Sequence, residues 1–162
     1  MHDVKAYEQF RKRRQLKNKL IDLAKLELSR YQNAKRDITH MSERIERLEA
    51  RINSSVKPPT EIRDYKSQPD PESIQNLLNC AADMRSEYGK KIIFAEGICE
   101  YVERLIFDVE GLPGQFLYKR YIIGQGVDVI AHDHIYHRSQ VYRLLEIGLL
   151  QVGKKMRQNA TY

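Results

Sequence analysis

A heptad pattern of apolar residues between positions 74 and 112 constrains the fold more than any other feature of the sequence. Its steps alternate between three and four residues, and eleven of the twelve positions are apolar, Lys91 being the exception. This seam is typical of a long helix that packs along another helix, and it favours a helical core over a cofactor site. Gly89 and Gly97 each cost a helix about 1 kcal/mol, so the pattern allows a kink near either one.

The first third of the chain predicts a second long helical region. Residues 4–53 contain neither proline nor glycine and are rich in good helix formers. A shorter seam follows from position 38, formed by Ile38, Met41, Ile45, Leu48 and Ile52. Upstream of Tyr31 this register blurs, so the segment is interpreted as one long helix or two in series. A break would be capped by Asp37, Thr39 or Ser42.

A linker is predicted between the two helical regions. Residues 53–70 collect Ser, Asn and three of the five prolines, and Asp70 followed by Pro71 marks the start of the next helix. Two long helices joined in this way predict a helical hairpin. One such layer cannot bury its seam together with Phe94, Ile106 and Phe107, so we expect a homodimer or a higher homo-oligomer.

Three shorter helices are predicted after Leu112, over residues 115–123, 127–134 and 138–152. Glycines 124 and 126 indicate a turn between the first two. In the third helix, Val141, Leu145, Gly148 and Val152 recur at helical spacing and should face inward. The predicted fold is all-α, with a hairpin and oligomerisation region over residues 1–112 and a separate domain over residues 113–162.

Charge is distributed unevenly along the chain, whose formal net charge is +6. Residues 1–60 and 118–162 are basic, whereas residues 61–117 are acidic, a pattern that favours an anionic partner without identifying it.

Cys80 and Cys99 form no CxxC pair, so reduced thiols in a cytoplasm are expected. The apolar runs are short, which predicts neither a signal peptide nor a membrane span.

One segment resembles a known family. Residues 118–152, YKRYIIGQGVDVIAHDHIYHRSQVYRLLEIGLLQV, are similar to the region 4 helix-turn-helix of sigma factors, as found in phage late transcriptional regulators of the RinA and ArpU type. The matching residues are Tyr121, Gly124, Ile130, Ala131, Tyr136, Arg138, Gln140, Val141 and Arg143. The resemblance implies a C-terminal DNA-binding domain in a regulator of phage or prophage late genes.

The sequence departs from the family's pattern around the turn. His137 and Gly126 occupy positions where the family has serine caps, and His134–Ile135 replaces an apolar residue followed by glycine. Because a β-branched side chain resists the positive φ that glycine adopts freely, Ile135 is expected to change the length or hand of this turn.

The resemblance also implies roles for individual side chains. The third helix would lie in the major groove of duplex DNA, where Arg138 and Arg143 contact guanine or phosphate. Ser139 and Gln140 would contact base edges, and Tyr142 a thymine methyl or a phosphate. Phosphate contacts would come from His137, Lys119 and Arg120. Neither a catalytic constellation nor a cofactor motif is found, so no enzymatic activity is expected.

Several alternatives stay open at this level. His132, His134 and His137 are spaced closely enough to bind zinc or nickel. The basic run 11–14 is either a solvated helix face or an additional phosphate contact. The function could instead be that of a small-terminase-like DNA-packaging protein, or of a helical module that contacts RNA polymerase.

Overall fold

The fold is all-helical, as predicted. A computed structural model describes residues 2–56 and 71–160 and contains no strand in those ranges. Its elements are α1 (His2–Val56), α2 (Pro71–Phe107), α3 (Gly111–Leu117), which continues into a π-helical extension (Tyr118–Ile123), α4 (Val127–Asp133) and α5 (Arg138–Asn159). No helix among the described residues is long and apolar enough to cross a membrane.

Helix α1 is one continuous helix of 55 residues, so no break occurs near Asp37. Its buried face runs through Ile21, Ala24, Leu28, Tyr31, Ala34 and Met41. Two successive steps of three residues, from 28 to 31 and from 31 to 34, shift the seam around the helix. That shift explains why a single heptad register cannot be followed upstream of Tyr31.

Helix α2 is also continuous, and neither Gly89 nor Gly97 interrupts it. It begins at Pro71, where a missing N–H costs nothing, whereas Asp70 lies outside the described residues. Most of the predicted linker also lies outside the described residues. Its first four residues, 53–56, are helical and belong to α1. The seam prediction holds through Leu105 and Val109, but its last position, Leu112, lies in α3 and is exposed.

The chain divides into two compact units, Lys35–Gly97 and the combination of Met1–Ala34 with Ile98–Tyr162. This division falls elsewhere than the predicted boundary at residue 112. In the first unit α1 and α2 pack through Met41, Ala81 and Ala95, which are buried. Arg85 pairs with Glu49 at 2.9 Å, and Arg44 donates to the Tyr88 hydroxyl at 3.1 Å.

The second unit has a core to which all five helices contribute. Its fully buried side chains include Leu28 of α1, Val102 of α2, Phe116 and Leu117 of α3, Ile130 of α4, and Val141 and Val152 of α5. Tyr31 of α1 donates to Glu103 of α2 at 2.9 Å. Burial, followed by this hydrogen bond to a carboxylate, raises the pKa of Tyr31 to about 12.

Two glycines let α5 approach its neighbours closely. A Cβ on Gly148 would lie 2.8 Å from the Leu117 side chain of α3. A Cβ on Gly153 would overlap the backbone of Leu20 in α1. Helix α5 is therefore fixed between α3 on one side and the N-terminal half of α1 on the other.

Candidate nucleic-acid interface

A four-residue turn, 134–137, joins α4 to α5. Ile135 adopts φ 56°, the one positive φ outside glycine in the described part of the chain. A β-branched residue resists this conformation, and Ile135 adopts it nevertheless, as the family's glycine would. The turn forms because the Tyr136 N–H donates to the Ala131 carbonyl at 2.9 Å and Ile135 itself is 96% exposed, so its side chain meets no obstacle.

His137 caps the first turn of α5. Its Nδ1 accepts from the Ser139 N–H at 3.4 Å, and its own N–H donates to the Gln140 side chain at 3.0 Å. These reciprocal bonds form a capping box in which histidine replaces the usual serine.

Helix α5 separates an inward from an outward face, as predicted. Val141, Leu145, Gly148 and Val152 are all buried. Arg138, Ser139, Gln140, Tyr142 and Arg143 are all exposed. The pairs 138/142 and 139/143 are each four residues apart and therefore lie on neighbouring rows of one helix face. This face presents two guanidinium groups, a hydroxyl and a phenol to solvent.

Arg138 is tied to α4 by an ion pair. Its Nε lies 2.8 Å from the Asp128 carboxylate, and both side chains are more than half exposed. An exposed pair of this kind is worth at most about 1 kcal/mol, so it can be exchanged for a phosphate or a base edge. Asp128 nevertheless places a negative charge beside the candidate interface.

Lys119 and Arg120 lie on the π-helical extension. Lys119 is partly buried and faces Asp133 of α4 at 3.7 Å, an arrangement that ties the extension to α4. Arg120 is exposed and donates to the Gln125 carbonyl at 3.1 Å. Of the two, Arg120 is the better placed to reach a ligand in solvent.

Helix α1 supports the C-terminal end of this extension. The Gln32 amide donates to the carbonyls of Tyr121 and Ile122, each at 2.9 Å, and these belong to the last turn, whose carbonyls lack helical partners. Gly124 follows with φ 84°, the left-handed conformation that ends helices. The sequence predicted a turn at Gly124 but gave no indication of Gln32.

The three closely spaced histidines have different surroundings. His132 is exposed, His137 caps α5, and the His134 ring lies 4.8 Å from the Phe116 ring and stacks with Tyr136 at 6.5 Å. Within residues 2–56 and 71–160 no three histidine, cysteine or acidic side chains form a group suited to a metal ion. The geometry thus gives no support to the zinc or nickel hypothesis.

An apolar groove lies between the end of α2 and α3 with its extension. Its apolar lining includes Phe107, which is 90% exposed, Tyr118 and Ile123. The acidic residues along it are Glu100, Glu103, Asp108 and Glu110. From the sequence, Phe107 is expected only as an apolar residue in excess of the hairpin's core, and the heptad pattern does not indicate the groove.

Comparison of the chain with protein-family models, curated proteins and solved structures gave no match. The candidate interface is formed by α5 and the turn that precedes it. Its defining features are the strained turn at Ile135, the capped start of α5 and the exposed row of polar side chains that follows.

Proposed function

We propose that this protein is a sequence-specific regulator of transcription that binds duplex DNA, with α4 and α5 forming a helix-turn-helix. The observation that carries the proposal is the exposed row Arg138, Ser139, Tyr142 and Arg143 at the start of a helix whose opposite face is buried. A helix held in this way can enter a major groove with its first turns against the base edges.

The electrostatics favour the same face. Arg138 and Arg143 carry planar guanidinium groups that match the O6 and N7 acceptors of guanine. The groove beside Phe107 carries four acidic and two basic residues, Arg104 and Lys119, so its net negative charge favours an approach of DNA to α5. The resemblance of residues 118–152 to phage late regulators supports late genes of a phage or prophage as the target.

In vitro selection from random duplexes, followed by titration of variants, tests the proposal. Arg138→Ala and Arg143→Ala should each weaken binding to the selected sequence by about 1–3 kcal/mol. Their effect on mixed-sequence DNA should be smaller. Failure to enrich any sequence, or equal losses on both DNAs, would refute sequence-specific recognition by α5.

Self-association is part of the proposal. Phe94 and Ile93 on α2 are both 69% exposed, and apolar side chains of this size favour burial against another chain. A dimer would present two copies of α5 and make the second DNA contact intramolecular. Sedimentation of wild type and Phe94→Glu tests this, because a dimer through this face should dissociate in the variant.

The groove beside Phe107 favours a second candidate function, docking of a protein. Its apolar lining and acidic residues fit a basic amphipathic segment of a partner, and RNA polymerase is one candidate source of such a segment. Phe107→Ala should then reduce transcription activation while leaving DNA affinity unchanged. Unchanged activation, or a loss of DNA affinity, would exclude this second function.

A further inference from the structure

The first turns of α1 project as an uncovered basic helix. Every described side chain from residue 7 to residue 19 is exposed, and the core begins only at Leu20 and Ile21. This segment, the N-terminal arm, carries one acidic residue, Glu8, and six basic ones: Arg11, Lys12, Arg13, Arg14, Lys17 and Lys19. A helix of this length is marginally stable in water unless something packs against it.

Two contacts fix the direction of the arm relative to α5. The Leu20 backbone lies against Gly153, and three residues earlier Lys17 pairs with Glu146 of α5 at 2.7 Å. Moving towards the N-terminus of α1 therefore means moving towards the N-terminus of α5. The basic run 11–14 continues in that direction, towards the end of α5 that carries Arg138 and Arg143.

The lengths of the two segments match. At 1.5 Å per residue, α5 extends about 12 Å from Glu146 back to Arg138, and the arm extends about 15 Å from Lys17 back to residue 7. The arm is thus long enough to run alongside the exposed row of α5. In that arrangement its positive charge would lie beside the face where the proposed function places DNA.

We propose that the N-terminal arm is a second DNA-contacting element, which binds phosphates of the duplex flanking the site occupied by α5. This inference rests on the proposed function. The proposed ligand of the arm is the phosphate backbone of duplex DNA, because the arm combines high positive charge with full exposure. Phosphate contacts carry affinity and salt dependence but no sequence information.

Charge neutralisation in the arm tests the inference in the full-length chain. The variant carries Arg11→Gln, Lys12→Gln, Arg13→Gln and Arg14→Gln, and glutamine preserves helix propensity. A matched control removes three arginines and one lysine from exposed positions of the other unit: Arg36→Gln, Arg47→Gln, Arg51→Gln and Lys90→Gln. Both variants lower the net charge by the same amount.

Fluorescence anisotropy with a mixed-sequence DNA duplex, repeated over a series of salt concentrations, provides the measurement. Four consecutive side chains project in different directions around a helix, so about two of the four can face the duplex. The arm variant should then bind about tenfold more weakly, with a salt slope smaller by about 2, because each phosphate contact contributes about 0.9. The control should match the wild type.

The outcomes separate the two proposals. If the arm variant behaves like the control, the arm inference is overturned and the role of α5 stands. If the wild-type chain binds no duplex at low salt, both are overturned. A conservative variant with Arg11→Lys, Arg13→Lys and Arg14→Lys should bind like the wild type, since phosphate contacts require charge; a loss as large as with glutamine would overturn the electrostatic argument.

Discussion

Arg138 at the start of α5 is held by Asp128 at the start of α4, with 2.8 Å between Nε and the carboxylate. The pair joins the two helices on the face proposed to bind DNA. It also occupies part of the guanidinium group and adds a negative charge that a phosphate must approach.

Asp128→Asn is therefore expected to raise DNA affinity severalfold, because it removes this repulsion and releases Arg138. Asp83→Asn, which removes an exposed carboxylate from the other unit, serves as the control. The measurement is a titration of both variants with the same mixed-sequence duplex. Equal gains would indicate an effect of net charge alone and would argue against contact at Arg138.

Ile135→Gly is expected to stabilise the protein by about 1 kcal/mol. The left-handed conformation costs a residue other than glycine about 1–2 kcal/mol, part of which is offset by the greater freedom of glycine in the unfolded chain. The side chain is 96% exposed, so little packing is lost. Thermal unfolding provides the measurement.

Val129→Gly is the matched control for Ile135→Gly, since Val129 is partly exposed and lies inside α4. It should destabilise the protein by about 0.5–1 kcal/mol, since glycine is a poorer helix former than valine and the contacts of a half-buried side chain are lost. A loss of stability in Ile135→Gly as well would mean that the isoleucine makes favourable contacts that outweigh its backbone strain.

The parts of the interface that follow from local pattern were predictable from the sequence. The inward face of α5 follows from its helical spacing, and the turn at Gly124 from a glycine that takes a positive φ. Sequence reasoning missed the start of α3 at Gly111, because Pro113 and Gly114 resemble helix breakers. In the structure Pro113 lies in the first turn, where no N–H is needed, and Gly114 is packed against Val109.

Long-range packing could not be predicted. Gln32 supports the carbonyls of Tyr121 and Ile122 from a position 89 residues away in sequence, and no periodicity connects them. Helix α1 packs on α5 where the Leu20 backbone lies against Gly153, a contact that depends on the sequences of both helices. The division of the chain into units depends on such long-range contacts. The linker and the heptad pattern, which are local features, therefore could not predict it.

Gly153→Ala and Gly97→Ala should change stability in opposite directions. Alanine is the better helix former by about 1 kcal/mol, and a Cβ at position 97 meets nothing within 4 Å, so Gly97→Ala should stabilise. At position 153 the Cβ would overlap the Leu20 backbone, and overpacking costs about 1–3 kcal/mol. Urea unfolding of both variants tests this, and stabilisation by Gly153→Ala would disprove close packing of α1 on α5.

The raised pKa of Tyr31 predicts that the protein loses stability at high pH. Its folded pKa is raised from 10.0 to about 12, so the folded state favours the protonated phenol. The contribution of Tyr31 to the free energy of unfolding is complete below pH 10 and declines as the pH rises through about 12. Tyr31→Phe should lower stability at neutral pH, since the bond to Glu103 is lost, but should flatten the decline between these pH values. A variant with the wild-type pH dependence would contradict this assignment.

The last prediction concerns a fragment comprising residues 110–162, which contains α3 with its extension, α4 and α5. If the boundary near residue 112 separated independent domains, this fragment would fold alone. We expect the opposite, because the core also includes Ile21, Ala24 and Leu28 of α1 and Val102, Leu105 and Ile106 of α2.

Removing those helices would expose to water the apolar surface that they cover in this core, at about 25 cal/mol for each Å². Folded domains are stable by only about 5–15 kcal/mol in total, so the fragment should lose its cooperative transition. Circular dichroism during heating measures this, with the full-length chain as the reference. A cooperative transition in the fragment near the wild-type midpoint would show that α1 and α2 are dispensable for the core and would restore the boundary near residue 112.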